Sequence, residues 1–190
     1  HPKPLKTFLN RHAWQGTRSE LYESSAQEVR PVFLKPRRPH FVDGEKVQAK
    51  LCQSIRALDS LPSCLLPADF FCSEVVEWIS EYRCYILDST ILGIHYYALQ
   101  GPSGLGASEI EQQFPEFRPT ESLIREAVKC LDDAGESVAG YCLDFGLIAF
   151  GQISLVEVND GLALTNYGLS PSDYLDLHIA RWQELTKYAP

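Results

Sequence analysis

Methionine is absent from the 190 residues, even at position 1, and the chain opens with His1 and Pro2. It reads as a piece of a longer chain, so short spacings carry more weight here than long ones. No apolar run approaches the roughly 18 to 20 residues that a membrane helix needs. The opening stretch HPKPLKTFLNRHAW also lacks the apolar core of a signal peptide. Basic residues are scarce, 17 against 25 acidic ones, for a net charge of −8. Such a chain repels nucleic acid and anionic membranes rather than collecting them, although a local basic patch stays open to phosphate. The six cysteines, at 52, 64, 72, 84, 130 and 142, never form a CxxC pair, and most lie in apolar segments. They read as reduced thiols of a cytoplasmic protein. What the chain does have is apolar content, 45% of its residues, enough for one large domain or two small lobes.

Residues 1–30 are polar and weakly periodic, with a turn signal at Trp14 to Gly16, and read as a connecting segment. RPVFLKP (30–36) is expected as a short strand closed by Pro36, and RRPHFVDG as a loop. EKVQAKLCQSIRAL is expected as a helix, because Val47, Leu51, Ile55 and Leu58 fall at helical spacing. FFCSEVVEWI then reads as one strand, and YRCYILDSTILGIHYYAL as a hairpin turning near Asp88 and Ser89. Residues 101–119, with three glycines and three prolines, read as a mobile loop. TESLIREAVKCLDDAG is a helix capped by Thr120, with Leu123, Ala127, Cys130 and Leu131 on one side. A second hairpin, VAGYCLDFGLIAFGQISLVEVND, precedes a capped final helix expected to bury Leu175, Ile179, Trp182 and Leu185.

The second hairpin carries the strongest chemical signal. In LVEVNDG, Glu157 and Asn159 are two residues apart on an apolar strand and so point to one face. A tight turn on Phe150 and Gly151 sets Ala149 opposite Gln152 and, further in, Asp144 opposite Glu157. Directly opposed residues have Cβ atoms about 5 Å apart, and like charges so placed repel. A hard divalent cation such as Mg²⁺ would offset that repulsion, since it takes oxygen ligands and needs few carboxylates. Spacing alone does not separate this reading from two acids on the solvent face of an ordinary hairpin.

Two further constellations are weaker. Lys35 interrupts the apolar strand VFLKP and is followed by Arg37, Arg38 and Gly44, a group suited to an anion but equally to a solvated edge. SEVVEWISEYRCYIL crowds Glu74, Glu77, Glu81 and Arg83 among strand formers. Its backbone could pair with the edge of a base, or its charges could be cross-strand partners on a surface.

In this order the three constellations resemble an ATP-grasp domain, and in wording the R-two-K clade of that superfamily, from about Thr7 to Lys187. The most specific pieces are VFLKP, SEVVEWISEYRCYIL, LDFG and LVEVNDGLALTNYG, with Arg181 and Trp182 in the last helix. The resemblance implies an α+β fold, two lobes holding a nucleotide between antiparallel sheets, with the amino-terminal domain largely missing. It divides the chain into a remnant at 1–29, a small lobe at 30–73 and a large lobe at 74–190.

It further implies that Lys35 holds the α and β phosphates, beneath a loop at 37–44. Glu74 would open the hinge, Val75, Val76 and Glu77 would supply adenine-contacting chain, and Glu81 would bind the ribose. Asp144, Glu157 and Asn159 match the family's three metal ligands. His95 stands on the strand where the family usually carries Arg or Lys for the γ phosphate, so Arg83 is the substitute, and Cys142 stands where some ligases carry an arginine. The implied activity is ATP- and Mg²⁺-dependent ligation of a carboxylate to an amine, peptide or protein among the candidate partners, through an acyl phosphate. An inactive nucleotide- or peptide-binding version and a plain α+β interaction domain are the two other readings. Neither nucleic acid nor membrane is expected as a partner.

Overall fold

The computed structural model describes residues 2–17, 20, 31–36, 41–42, 45–46, 50–52, 69–97, 109, 112–149 and 151–187. Two compact units emerge, Arg11–Val76 and His1–Asn10 with Glu77–Pro190. The divisions expected from the sequence stand after 29 and after 73. Most of the loop expected at 101–119 and of 37–44 lies outside the described residues.

The unit Arg11–Val76 holds strands β1 (Ala13–Thr17), β2 (Val32–Pro36), β3 (Phe41–Val42), β4 (Glu45–Lys46), β5 (Lys50–Cys52) and β6 (Asp69–Glu74). Four of them form an antiparallel sheet in the order β1-β6-β2-β5, and β3 and β4 form a small ribbon. Period-two alternation buries Leu34, Phe70 and Cys72 at 2% exposure or less, leaving Phe33 and Lys35 on the exposed face.

Three expectations change here. Trp14 and Gly16 do not turn the chain but lie in the edge strand β1, paired with Cys72 and Phe70. Within the helix expected over 45–58, residues 45–46 and 50–52 are strands β4 and β5, with Leu51 opposite Phe33, and its other residues, Val47, Ile55 and Leu58 among them, lie outside the described ones. An apolar spacing of four over a short window does not distinguish helix from strand, and pairing with β2 decides the matter. Finally, FFCSEVVEWI is two strands: β6 ends at Glu74, residues 75–77 are not in a strand, and Trp78 begins the next one.

The other unit is built on β7 (Trp78–Leu87), β8 (Thr90–Tyr96), β9 (Gly140–Ile148) and β10 (Ile153–Asp160), ordered β10-β9-β7-β8 and antiparallel throughout. Asp88 and Ser89 turn the first hairpin as expected, with φ of 44° and 61°, the two positive angles that a type I′ turn requires. One face of the sheet carries Tyr82, Cys84, Ile86, Leu143 and Phe145, all fully buried. Helix α1 (Glu121–Asp133) and a 3-10 helix at Lys3–Phe8 supply Ile124, Ala127, Val128, Leu131, Leu5 and Phe8 to the core. Thr120 caps α1 by accepting the Leu123 N–H at 3.2 Å. Leu123 and Cys130 are only half-buried, so the inward stripe is turned slightly from the expected one.

Helix α2 (Pro171–Thr186) is capped by Ser170, whose Oγ accepts the Asp173 N–H at 3.2 Å. Its orientation is not the expected one. Leu177 is buried, whereas Leu175, Ile179, Trp182 and Leu185 are 57, 42, 60 and 43% exposed. Gly140 explains the choice: a Cβ there would stand 2.5 Å from the Leu177 carbonyl oxygen, while Gly161 lies tightly against the Gly140 backbone and 3.1 Å from Leu177 Cδ2 by the same measure. Backbone therefore approaches backbone on the Leu177 side. Arg181 fixes that side by donating to Asp160 Oδ2 at 2.9 and 2.6 Å.

Among the described residues no helix is long and apolar enough to cross a membrane. Cys72, Cys84, Cys130 and Cys142 carry free thiols.

Candidate functional site

The second face of the β10-β9-β7-β8 sheet is where polar side chains gather. Register places His95, Arg83, Asp144 and Glu157 in one row, one residue from each strand, and Gly93, Tyr85, Cys142 and Asn159 in the next. Glu81 stands in the row on the other side, opposite Gly146. Seven of the residues singled out in the sequence, Glu81, Arg83, His95, Cys142, Asp144, Glu157 and Asn159, are thus brought together from four strands.

The hairpin delivers Glu157 by a route the sequence does not show. Near the turn Leu147 faces Ile153, Ile148 N–H donates to Gln152 O at 3.0 Å, and Gly151 has φ 79°. The tight two-residue turn expected from the sequence is therefore not formed, and the pairing starts one residue out of step. A bulge at Val156, between Leu155 and Glu157, restores it and sets Glu157 opposite Asp144. Without the bulge, that register would continue Glu157 opposite Leu143, on the buried face. Bulges commonly serve to re-aim a side chain in this way.

The centre of the row is a buried ion pair. Arg83 donates from Nε to Asp144 Oδ1 at 2.9 Å and from Nη2 to Asp144 Oδ2 at 2.7 Å. Arg83 is 7% exposed and Asp144 not at all. Asn159 Nδ2 donates to Asp144 Oδ2 at 3.0 Å and to Glu157 Oε1 at 2.9 Å, and the Cys142 thiol lies 3.6 Å from Asp144 Oδ1. Burial pushes the Asp144 carboxyl up, Arg83 pulls it down, and Glu157 adds to the rise, for a net rise. Burial likewise works against the Arg83 charge, but the hydrogen bonds and charge of Asp144 prevail and hold the guanidinium protonated. Burial also raises the Cys142 thiol, so it is no ready nucleophile.

Aromatic groups surround the guanidinium. Tyr97 and Tyr167 stack on each other at 4.9 Å, and Arg83 Cζ lies 5.2 and 5.1 Å from their ring centres. Tyr97 OH donates to Glu81 Oε2 at 2.7 Å. Tyr85 OH donates to Thr165 O at 2.7 Å and accepts the Tyr167 N–H at 2.9 Å, and burial pushes its hydroxyl up to about 12. Sequence reasoning missed both Tyr97 and Tyr167. A signal is present for Tyr97, two residues after His95 and so on its face; Tyr167 comes from a segment without regular structure and leaves no such trace.

Lys35, Glu74, Val75 and Val76 belong to the unit Arg11–Val76. Lys35 is exposed on β2, with Phe71 as its register partner on β6. Glu74 closes the end of the β1–β6 ladder: its Oε2 accepts the His12 N–H at 2.9 Å. Val75 is 44% exposed and Val76 half-buried, outside any strand, while the Glu77 carbonyl accepts the Ala149 N–H at 3.1 Å. Of the three expected adenine-contacting residues, Glu77 therefore has its carbonyl already engaged.

The Asp144, Glu157 and Asn159 cluster suits a hard cation. One amide nitrogen satisfies oxygens of both carboxylates, so the two acids converge on a point that demands positive charge. Turning the carboxamide would present a third oxygen there, an all-oxygen set of the kind Mg²⁺ takes. Among the described residues no three of His, Cys, Asp and Glu converge on such a point, so the third oxygen of this cluster would have to be the asparagine's.

A sequence model described as ATP-grasp domain, R-two-K clade, family 2, matches residues 8–177. In fold the chain is similar to a Chryseobacterium gregarium RiPP-associated ATP-grasp ligase in complex with ADP and a leader and core peptide, at TM-score 0.56 and 16% identity, over 96% of this chain and 56% of that one. It is similar to D-alanine–D-alanine ligase from Bacillus anthracis at TM-score 0.56 and 15% identity, over 96% and 64%. Another likeness is to N5-carboxyaminoimidazole synthetase from Staphylococcus aureus, at TM-score 0.58 and 11% identity, over 94% and 48%. At such identities the likeness is one of fold, and the chain spans only 48 to 64% of the length of these structures. No curated protein matches the sequence. The match over residues 8–177, with the two antiparallel sheets, places the chain in the ATP-grasp family, R-two-K clade.

Proposed function

We propose that this chain is the nucleotide-binding core of an ADP-forming ligase that joins a carboxylate to an amine through an acyl phosphate. The observation that carries the reading is the row His95, Arg83, Asp144 and Glu157, with Asn159 in the next row. A row with two adjacent carboxylates, an arginine and a histidine, extended by a carboxamide, fits a triphosphate with its cation better than it fits a solvent-exposed hairpin. In this reading Lys35 takes the α and β phosphates, Glu74, Val75, Val76 and Glu77 frame the base, and Glu81 takes the ribose. Arg83 and His95 meet the γ phosphate. Asp144, Glu157 and Asn159 hold the divalent cation, which when bound supplies positive charge to the phosphate oxygens.

The substrate carboxylate attacks the γ phosphorus and the bond to the β-phosphate oxygen breaks, releasing ADP. The amine lone pair then attacks the acyl carbon, the C–O bond to phosphate breaks, and the amine gives up a proton. Little covalent work falls to the protein: Arg83 and Lys35 neutralise charge spread over the transferred group, and positioning makes the amine effectively intramolecular. The likeness in fold to a ligase in complex with a leader and core peptide favours a peptide as one substrate.

ADP release by the protein with Mg²⁺ and ATP should depend on both a carboxylate and an amine, with the ligated product seen by mass. Glu157→Gln, which removes a charge at nearly constant shape, should abolish that turnover in a folded protein. Unchanged turnover in this variant would overturn the metal role. A second reading, a version that binds nucleotide without chemistry, is favoured by the Arg83–Asp144 ion pair, since it engages a metal ligand. ATP binding with no ADP formed for any carboxylate and amine pair would select it.

A further inference from the structure

We propose that Arg83 and Asn159 fill, with their own N–H groups, the place that a divalent cation would take against Asp144 and Glu157, so that metal enters only together with a phosphate that takes over the guanidinium. The inference rests on the ligase reading and concerns which species binds: a metal–nucleotide complex, not the free ion.

The Asp144 oxygens receive four donors: Arg83 Nε at 2.9 Å, Arg83 Nη2 at 2.7 Å, Asn159 Nδ2 at 3.0 Å and the Cys142 thiol at 3.6 Å. An ionised carboxylate offers about four lone-pair positions. All are in use, so a cation can bind Asp144 only when a donor leaves. Asn159 leaves at little cost, since a turn of its carboxamide replaces N–H with oxygen, but the Oδ2 that it frees still holds Arg83 Nη2, whose positive charge repels an arriving cation. Arg83 does not leave so readily. It is 7% exposed and ringed by Tyr97 and Tyr167, and its other hydrogen bond is a long one, Nη1 to Thr165 O at 3.5 Å.

A cation that takes over the Asp144 charge leaves a desolvated guanidinium without its anion, a costly state. Phosphate is the anion that can replace the carboxylate with the same two-pronged geometry. Metal and nucleotide should therefore strengthen each other's binding by equal factors, as linkage requires.

The test uses Mn²⁺ as probe, its binding to the intact chain followed by electron paramagnetic resonance without nucleotide. The wild type should bind weakly. Arg83→Gln should bind at least about tenfold more tightly, equivalent to about 1.4 kcal/mol, and adding Glu157→Gln should remove that gain. In the wild type, the Arg83 Nε–H resonance should stay in place with Mg²⁺ alone and move when ADP is added with Mg²⁺, a measurement that needs no variant.

If Arg83→Gln binds Mn²⁺ no better than wild type while Glu157→Gln abolishes binding, the metal site stands and the competition is overturned. Movement of the Nε–H resonance with Mg²⁺ alone, and none on adding ADP, overturns it as well. Mn²⁺ binding indifferent to Glu157→Gln overturns the metal site, and this inference with it.

Discussion

Arg83→Gln should destabilise the protein in a way that depends on pH, and the sign follows from what surrounds Asp144. Asp144 is wholly buried, and its carboxyl is already raised by burial and by Glu157, with Arg83 as the main opposing influence. The variant loses that influence and keeps the two that raise. A carboxyl whose folded pKa lies above its unfolded one stabilises the fold at low pH, and that contribution is lost as pH rises through the folded value. The variant should therefore lose stability relative to wild type as pH rises through the range above the ordinary carboxylate value, about 3.9. The slope should be up to about 1.4 kcal/mol per pH unit where Asp144 titrates. Leaving one buried partner uncompensated costs about 3–5 kcal/mol, a large share of the roughly 5–15 kcal/mol of a typical domain. Urea unfolding at several pH values, with chelator present, measures it. The double variant Arg83→Gln with Asp144→Asn removes the titrating group and should flatten the slope. A wild-type-to-Arg83→Gln difference that stays the same throughout that pH range would refute the reasoning.

Lys35→Ala should weaken ATP and ADP binding far more than adenosine binding, because the loss is local to the phosphates; equal loss for adenosine in a calorimetric titration would point to collapse of β2 instead. Gly146→Ala should cost about 1–3 kcal/mol in urea unfolding, since the new Cβ would meet the Ser80 carbonyl oxygen and stand 2.7 Å from Trp78 Cε3. A change in Trp78 fluorescence should accompany it. Tyr97→Phe removes the donor to Glu81 Oε2 and should cost about 1 kcal/mol of stability, with ATP affinity altered through Glu81; affinity and stability both at wild-type values would remove that link.

What the sequence shows of this molecule follows the range of the interactions involved. Helix α1 and the β7–β8 turn rest on local rules, a Thr cap and two positive-φ residues, and both are legible. The Asp144–Glu157 pairing is legible too, but through two errors of one residue that cancel, the pairing of Leu147 with Ile153 at the turn and the bulge at Val156. Short-range pattern gives no register across a bulge, because an extra residue leaves no mark in polarity. Leu51 misleads for a different reason: its strand exists because β2 offers it a partner, which is a tertiary fact. The row that joins Arg83 and His95 to the hairpin also depends on strand order β10-β9-β7-β8, a tertiary pairing that spacing along the chain does not reveal.

Helix α2 is the sharpest case, and it yields a test. Its two candidate faces differ in apolar content, Leu175, Ile179, Trp182 and Leu185 against Tyr174 and Leu177, so burying more area would have chosen the first. The structure chooses the second. The deciding features are Gly140, which lets the helix backbone at Leu177 approach β9, and Arg181, which pairs with Asp160 in the observed orientation. Gly140→Ala puts a Cβ 2.5 Å from a backbone carbonyl oxygen, which cannot swing aside as a side chain can, and should cost about 1–3 kcal/mol or more. Trp182→Ser should stay within about 1 kcal/mol, as surface substitutions do, whereas a buried tryptophan would cost about 3–5 kcal/mol. Urea unfolding of the two variants side by side settles the orientation. Should Trp182→Ser prove the more damaging, the helix in solution buries the face that the sequence first suggested, and the glycine argument is wrong.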